Sequence, residues 1–311
     1  MPPEIQPSKG PAAAAIGFAV TAWGASFVAA RHLLSPDAPG RQALDPVTLA
    51  AARFTLASLF FLGPFAGALI RRQVSGRDLV RMALLGQVAF STYFWLQYTG
   101  VQKTNAGIAS ILVIGLTPSA TALLSRFAGE SRLTGAAWGG LLLGFLSVAA
   151  LALEKPVKVT TGSDFLVGAL CLVGNAFAFS AYSILSRRWM KGLRPLTLTA
   201  GTMIFGTLGL VLLSFAISPG GWRGLGGLDA VQWSALLYLS IACSVAGFFA
   251  WTFALSRIEA SRAMVWLYAE PVVAMILGAA LLGERYGWSA FAAAGAIAVS
   301  VALVTRARKP A

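Results

Sequence analysis

The sequence predicts an all-α membrane protein, with ten transmembrane helices in two inverted five-helix repeats around a central cavity. Three observations carry the prediction. The chain is 57% hydrophobic and only 11% charged, with a mean hydropathy of +0.75, whereas a soluble domain charges about a quarter of its residues. Its apolar residues come in runs of roughly twenty, the length an α-helix needs to cross about 30 Å of hydrocarbon, and not in the alternating ten-residue segments of a barrel. A short motif is also written twice: PVTLAA begins at Pro46 and PLTLTA at Pro195, 149 positions later.

Breaks of charge, Pro and Gly divide the apolar sequence into spans near 11–32, 46–70, 78–99, 105–127, 133–153, 163–187, 195–217, 230–254, 261–282 and 288–305. The first follows MPPEIQPSKG, which carries little positive charge, so it reads as a span and not as a cleaved signal peptide. The second and seventh open at Pro46 and Pro195, where a proline in the first helical turn loses no hydrogen bond. The third gathers Tyr93, Phe94, Trp95 and Tyr98 with Gln87 and Gln97, and the fourth carries Pro118. Small residues four apart mark the fifth (Gly135 and Gly139, Gly140 and Gly144) and the tenth (Ala292 and Ala296), which permits close helix approach. The sixth holds Asn175, Phe177, Phe179 and Tyr182; the eighth holds Phe248, Phe249 and Trp251; the ninth holds Trp266, Tyr268, Glu270 and Pro271.

Ten spans put both termini on one side. With that side cytoplasmic, sixteen Lys and Arg lie inside and seven outside, with Arg53 inside a span, so the positive-inside bias predicts cytoplasmic N- and C-termini. The net charge of +13 is spread in small groups between apolar runs; it reads as an orientation signal, and no nucleic-acid partner is expected. Cys171 and Cys243 both fall within apolar runs, so no disulfide is expected.

The repeat extends beyond its opening motif. QYTGVQKTNAGIAS (Gln97 to Ser110) falls on WTFALSRIEASRAM at a shift of 154; GLTPSATALL falls on YAEPVVAMIL at 153, placing Pro118 on Pro271; GESRLT falls on GERYGW at 154. The chain therefore divides into residues 1–155 (spans one to five) and 156–311 (spans six to ten). An odd number of spans per copy inserts the second copy upside down, the inverted-repeat plan of secondary transporters. Two copies in opposite orientation can exchange slightly different conformations, opening a central site to one side and then the other.

Polar groups in hydrocarbon are costly, about 2.5 to 3.5 kcal/mol for a charged side chain at a helix centre. Glu270 can carry a proton, bind a cationic amine, pair with an arginine or hydrogen-bond beside the proline break. Arg53 is expected to snorkel towards the outer face, the alternative being a counter-ion role for a carboxylate group. Pro118 and Pro271 each remove a helical hydrogen bond at equivalent repeat positions, and read as paired kinks, the conformational hinges of the two halves. Trp23, Phe27, Tyr93, Asn175, Tyr182 and Trp251 lie deep or beside small polar residues; a cavity so lined suits an apolar or aromatic solute with a polar end. Tyr98 and Trp288 suit the interfacial aromatic belt. Gln97, Ser110, Tyr268 and Glu270 complete the candidate substrate contacts. No GxxxxGK[ST], HExxH or GxSxG occurs and the single histidine is His32, so neither ATP, metal, cofactor nor catalytic residue is expected.

WGASFV (Trp23 to Val28), NAGIAS (Asn105 to Ser110), LTP (Leu116 to Pro118) and EPVVAMILGAALLGER (Glu270 to Arg285) together resemble the drug/metabolite transporter superfamily in its ten-helix EamA-type form. Within it the chain looks most like the YddG-type aromatic amino-acid exporters. The resemblance implies a multi-pass protein of the bacterial inner membrane. Spans one, three, four, six, eight and nine would line the cavity, and spans five and ten would lie away from it. It also implies export of amino acids or related metabolites. The expected function is a secondary exporter of aromatic or neutral amino acids working by alternating access; the alternative is proton-antiport efflux of cationic, amphipathic drugs. An intramembrane enzyme is disfavoured, because the loops are too poor in His, Asp and Glu to build a catalytic face.

Overall fold

A computed structural model of the chain describes residues 9–34, 43–103, 111–129, 133–153, 163–189, 192–282 and 287–306. Among these residues all regular structure is helical; besides a short 3-10 helix at Gly221–Gly227 it groups into ten continuous segments. They are α1 (Lys9–Leu34), α2 (Pro46–Ile70), α3 (76–103), α4 (111–127), α5 (Gly135–Leu153), α6 (Ser163–Trp189), α7 (Pro195–Ile217), α8 (230–255), α9 (260–282) and α10 (Trp288–Arg306). Among the described residues, seven helices are long and apolar enough to cross a membrane: Pro46–Ile70, Gly76–Gln97, Phe165–Trp189, Pro195–Ile217, Ala230–Leu255, Ala260–Leu277 and Trp288–Arg306. Leu112–Phe127 and Gly135–Ala150 are shorter apolar helices.

The helix starts show how the sequence sets these elements. Pro46 opens α2 behind Asp45, whose carboxylate accepts from the backbone N–H of Val47 at 3.0 Å and Thr48 at 3.1 Å. Proline needs no partner there, and the carboxylate covers two of the remaining orphan donors. Pro195 opens α7 in the same way behind Arg194, without a side-chain cap. Capping boxes start α3 (Ser75 with Asp78) and α8 (Asp229 with Gln232), 154 positions apart.

Three of the long segments change winding inside. Segment α3 passes through a π-helical stretch at Gln87–Thr92, and α8 through one at Leu239–Gly247. In α9 the stretch Val265–Ala269 tightens to 3-10 geometry just before Glu270 and Pro271. Segment α4 begins with π geometry at Ile111–Gly115, just before Leu116, Thr117 and Pro118. Both prolines thus fall in the first turn of a new α-helical stretch, where a missing N–H costs least.

The packing repeats when α1–α5 are exchanged for α6–α10. Segment α2 runs against α7, and α5 against α10; α3 contacts α6 and α7 as α8 contacts α1 and α2; α4 contacts α6 as α9 contacts α1. Two seams depend on glycine. A Cβ at Gly24 in α1 would lie 2.7 Å from Val273 Cβ and 2.9 Å from the Glu270 carbonyl oxygen in α9. Gly86 and Gly206 bring the backbones of α3 and α7 equally close. The main core lies among α1, α2, α3, α6, α7, α8 and α9. A second, built on Leu141, Tyr268, Ile297 and Val304, joins α5 and α10 to α9.

Candidate functional site

The centre of the main core is a continuous group of aromatic rings drawn from five segments. Trp23 of α1 lies 5.5 Å from Trp251 and 5.3 Å from Phe248, both of α8. Phe179 of α6 stacks on Trp251 at 5.7 Å and meets Tyr93 of α3 at 5.4 Å. Phe54 of α2 packs on Phe90 at 4.9 Å and Phe94 at 4.8 Å, and Phe90 reaches Phe248 at 5.0 Å. Such offset and edge-on pairs each contribute about 0.5–1.5 kcal/mol beyond the area they bury.

The polar edges of this group are tied to neighbouring helices. The Trp23 indole N–H donates to the Cys243 carbonyl at 2.9 Å, and the Trp251 N–H donates to Ser183 Oγ at 3.3 Å. Asn175 Nδ2 donates to the Tyr93 carbonyl at 2.7 Å, while its Oδ1 is buried with no hydrogen-bond partner. The Tyr182 hydroxyl lies 3.5 Å from Thr252 Oγ1. Buried indole and phenol groups normally find such partners, so the rings are fixed in orientation as well as packed.

Of the residues expected from sequence, the structure therefore brings Trp23, Tyr93, Asn175, Tyr182 and Trp251 together. Gln97 lies one turn beyond Tyr93 on α3, half-buried. The Phe27 side chain and the whole of Ser110 lie outside the described residues. Tyr268 is separated from the group: its hydroxyl donates to the Gly115 carbonyl at 3.2 Å and the Leu141 carbonyl at 3.1 Å, in the second core. Glu270, two residues on, is only 9% exposed and lies at the α1–α9 seam, where its carbonyl abuts Gly24. Its carboxylate has no hydrogen bond or ion pair to the described residues.

Arg53 corrects the sequence reading. Its side chain does not reach back to the outer face: it is 8% exposed, and its Nε donates to Ser244 Oγ at 2.7 Å. Ser244 is fourteen residues into the 26-residue segment 230–255, about 21 Å from its start at 1.5 Å per residue and so near its middle. The guanidinium carbon lies 5.0 Å from the Phe54 ring centroid and 5.8 Å from that of Phe94. Sequence reasoning also missed Phe54 and Phe90. The available signal was the four-residue spacing of Phe90 and Phe94, which puts them on one helical face, together with an aromatic next to Arg53, an arginine inside a span.

The relatives fit this architecture. Similar chains include an uncharacterized transporter of Archaeoglobus fulgidus, 26% identical over 94% of this chain and 98% of its own length. The uncharacterized transporter YyaM of Bacillus subtilis is 25% identical over 86% of this chain and 84% of its own. A chloroplastic WAT1-related protein of Arabidopsis thaliana is 26% identical over 91% and 66%. A solved crystal structure shares the fold, with a TM-score of 0.78 over 96% of this chain and 97% of that one, at 21% identity. The EamA-like transporter family matches the sequence twice, over residues 11–153 and 166–306. This multi-pass membrane chain, with its aromatic centre between two similarly packed sets of helices, belongs to the EamA-like transporter family.

Proposed function

We propose that the protein exports neutral, chiefly aromatic, amino acids across a bacterial inner membrane by alternating access. All ten segments cross the bilayer, α1–α5 and α6–α10 are inverted copies, and both termini are cytoplasmic. The observation that carries the reading is the ring group around Trp23, Phe179 and Trp251. It takes side chains from both halves and has polar edges at Asn175, Ser183 and Ser244. A site of apolar and aromatic walls with a few oriented polar groups suits an aromatic solute with a polar end. The two family matches and the packing that recurs on exchange of halves support the inverted-repeat plan. With Trp251 and Tyr182 fully buried, the rings form a closed plug that parts when substrate passes.

An efflux screen in vesicles reconstituted with the purified protein tests the substrate class. Preloaded phenylalanine, tryptophan and leucine should leave faster than from protein-free vesicles, and dyes and quaternary ammonium compounds should not. The reverse ranking would favour the second reading, cationic drug efflux. One observation supports that reading: Glu270 has no cationic partner among the described residues, so it is available to an amine. Under it Glu270→Gln abolishes transport of cations.

A further inference from the structure

The geometry points to Arg53 and Glu270 as the two charged poles of one site for a zwitterion, with a substrate carboxylate at Arg53 and its ammonium at Glu270. The inference rests on the amino-acid reading above and assigns the groups that recognise the backbone of that substrate.

Both charges are more than nine-tenths buried, and each lacks an opposite charge among the described residues. The ion pairs there are Arg81 with Asp78 and Arg262 with Glu259, both near helix ends. A buried arginine and a buried glutamate serving only to hold helices together are least costly when paired directly. Here the two are not paired with each other. Arg53 Nε is fixed to Ser244, and Cys243, next in the chain, accepts from the Trp23 indole and donates its thiol to the Ala22 carbonyl at 3.2 Å. Gly24, the residue after Trp23, abuts Glu270. Ser244, Cys243, Trp23 and Gly24 thus form a chain of contacts and neighbours from the Arg53 side chain to the backbone of Glu270.

Each pole is shaped for its share of the ligand. Ser244 occupies the Nε of Arg53 and the rings of Phe54 and Phe94 cover the guanidinium. The two Nη groups remain, and they match a carboxylate with two parallel hydrogen bonds. The Glu270 carboxylate makes no hydrogen bond to the described residues and can accept from an ammonium. A cation alone leaves Arg53 uncompensated, an anion alone leaves Glu270 uncompensated, and a neutral solute leaves both. A zwitterion with an apolar side chain compensates both charges and lays that side chain against Trp23.

Ligand-induced thermal stabilisation of the purified full-length protein tests this with three probes that share one ring: phenylalanine, phenethylamine and 3-phenylpropanoate. The same triplet built on leucine, isoamylamine and 4-methylpentanoate covers an aliphatic preference. The wild type should bind the zwitterion about tenfold or more tighter than either single-charge analogue, the loss expected for one charge-assisted hydrogen-bonded contact. Arg53→Gln should reduce zwitterion binding to the level of the amine or below, without weakening amine binding. Glu270→Gln should reduce it to the level of the carboxylate. If Arg53→Gln does not fold, Arg53→Lys keeps the charge, loses the fork and should retain the zwitterion preference at weaker affinity. Equal binding of all three probes by the wild type overturns the assignment, as does equal weakening of all three in both variants. Phenylalanine efflux from vesicles with either result leaves the transport reading standing, whereas no binding and no efflux of any amino acid overturns both.

Discussion

Trp251 is fully buried, stacks on Phe179 at 5.7 Å, meets Trp23 at 5.5 Å and gives its N–H to Ser183. Its sequence position, in an apolar run beside threonine, marked it as a candidate for the centre. The degree of packing was not legible, because it depends on rings from α1 and α6 that lie 228 and 72 positions away. The consequence is measurable. Trp251→Ala leaves a cavity in the ring group and should destabilise the protein by about 3–5 kcal/mol, the usual cost of such a truncation in a core. Trp251→Phe keeps a ring between Trp23 and Phe179 and loses only the hydrogen bond to Ser183, so it should fold with a thermal midpoint close to the wild type. An alanine variant as thermostable as the phenylalanine variant would show that the ring group contributes nothing to the fold. Arg53 illustrates a limit of sequence reasoning. Its distance from the helix start suggested snorkelling, but its direction was decided by Ser244, 191 positions away.

At the scale of elements, the sequence marked the beginnings of helices well and their internal winding poorly. Pro46 and Pro195 were readable as first-turn residues because proline's fixed φ and missing N–H act locally. The π stretches of α3 and α8 carry no such local mark. They are held by contacts between helices, as where Gln87 Nε2 donates to the Phe205 carbonyl at 2.8 Å and Ser91 Oγ to the Gly206 carbonyl at 3.1 Å. The most informative difference lies at a shift of about 153, where Ile111–Gly115 is π-helical and its counterpart Val265–Ala269 is 3-10. A 3-10 stretch of five residues is about 2.5 Å longer than the same residues in an α-helix. Two similar sequences therefore adopt a wide and a tight form, each followed by its proline. If these are two forms that the halves exchange, Pro118→Ala and Pro271→Ala should restore an N–H for the carbonyl four residues earlier and stiffen the junction. Each should fold normally and slow efflux from vesicles severalfold. Unchanged rates in both variants would remove the prolines from the mechanism.

Across the whole molecule, the pseudo-symmetry decides which contacts can stay fixed during transport. Ser58 and Thr207 are 149 positions apart, the same interval as Pro46 and Pro195, and their hydroxyls lie 2.8 Å from each other where α2 meets α7. This contact joins equivalent positions, so exchanging the conformations of the two halves maps it onto itself. The contact between Thr121 Oγ1 of α4 and Ser180 Oγ of α6 is also 2.8 Å long, but exchange maps it onto the α1–α9 seam. If access alternates by such an exchange, the first contact persists and the second opens in one state. The native Cys171 and Cys243 are first replaced by serine. Oxidation of Ser58→Cys with Thr207→Cys should then leave efflux largely intact, while oxidation of Thr121→Cys with Ser180→Cys should stop it until the bridge is reduced. Hydroxyl pairs at this separation place cysteine sulfurs within bridging reach, and the two variants are matched in burial and substitution size. Loss of transport on oxidation of the 58–207 pair alone would place the moving seam between α2 and α7 and exclude a symmetric exchange of the two halves.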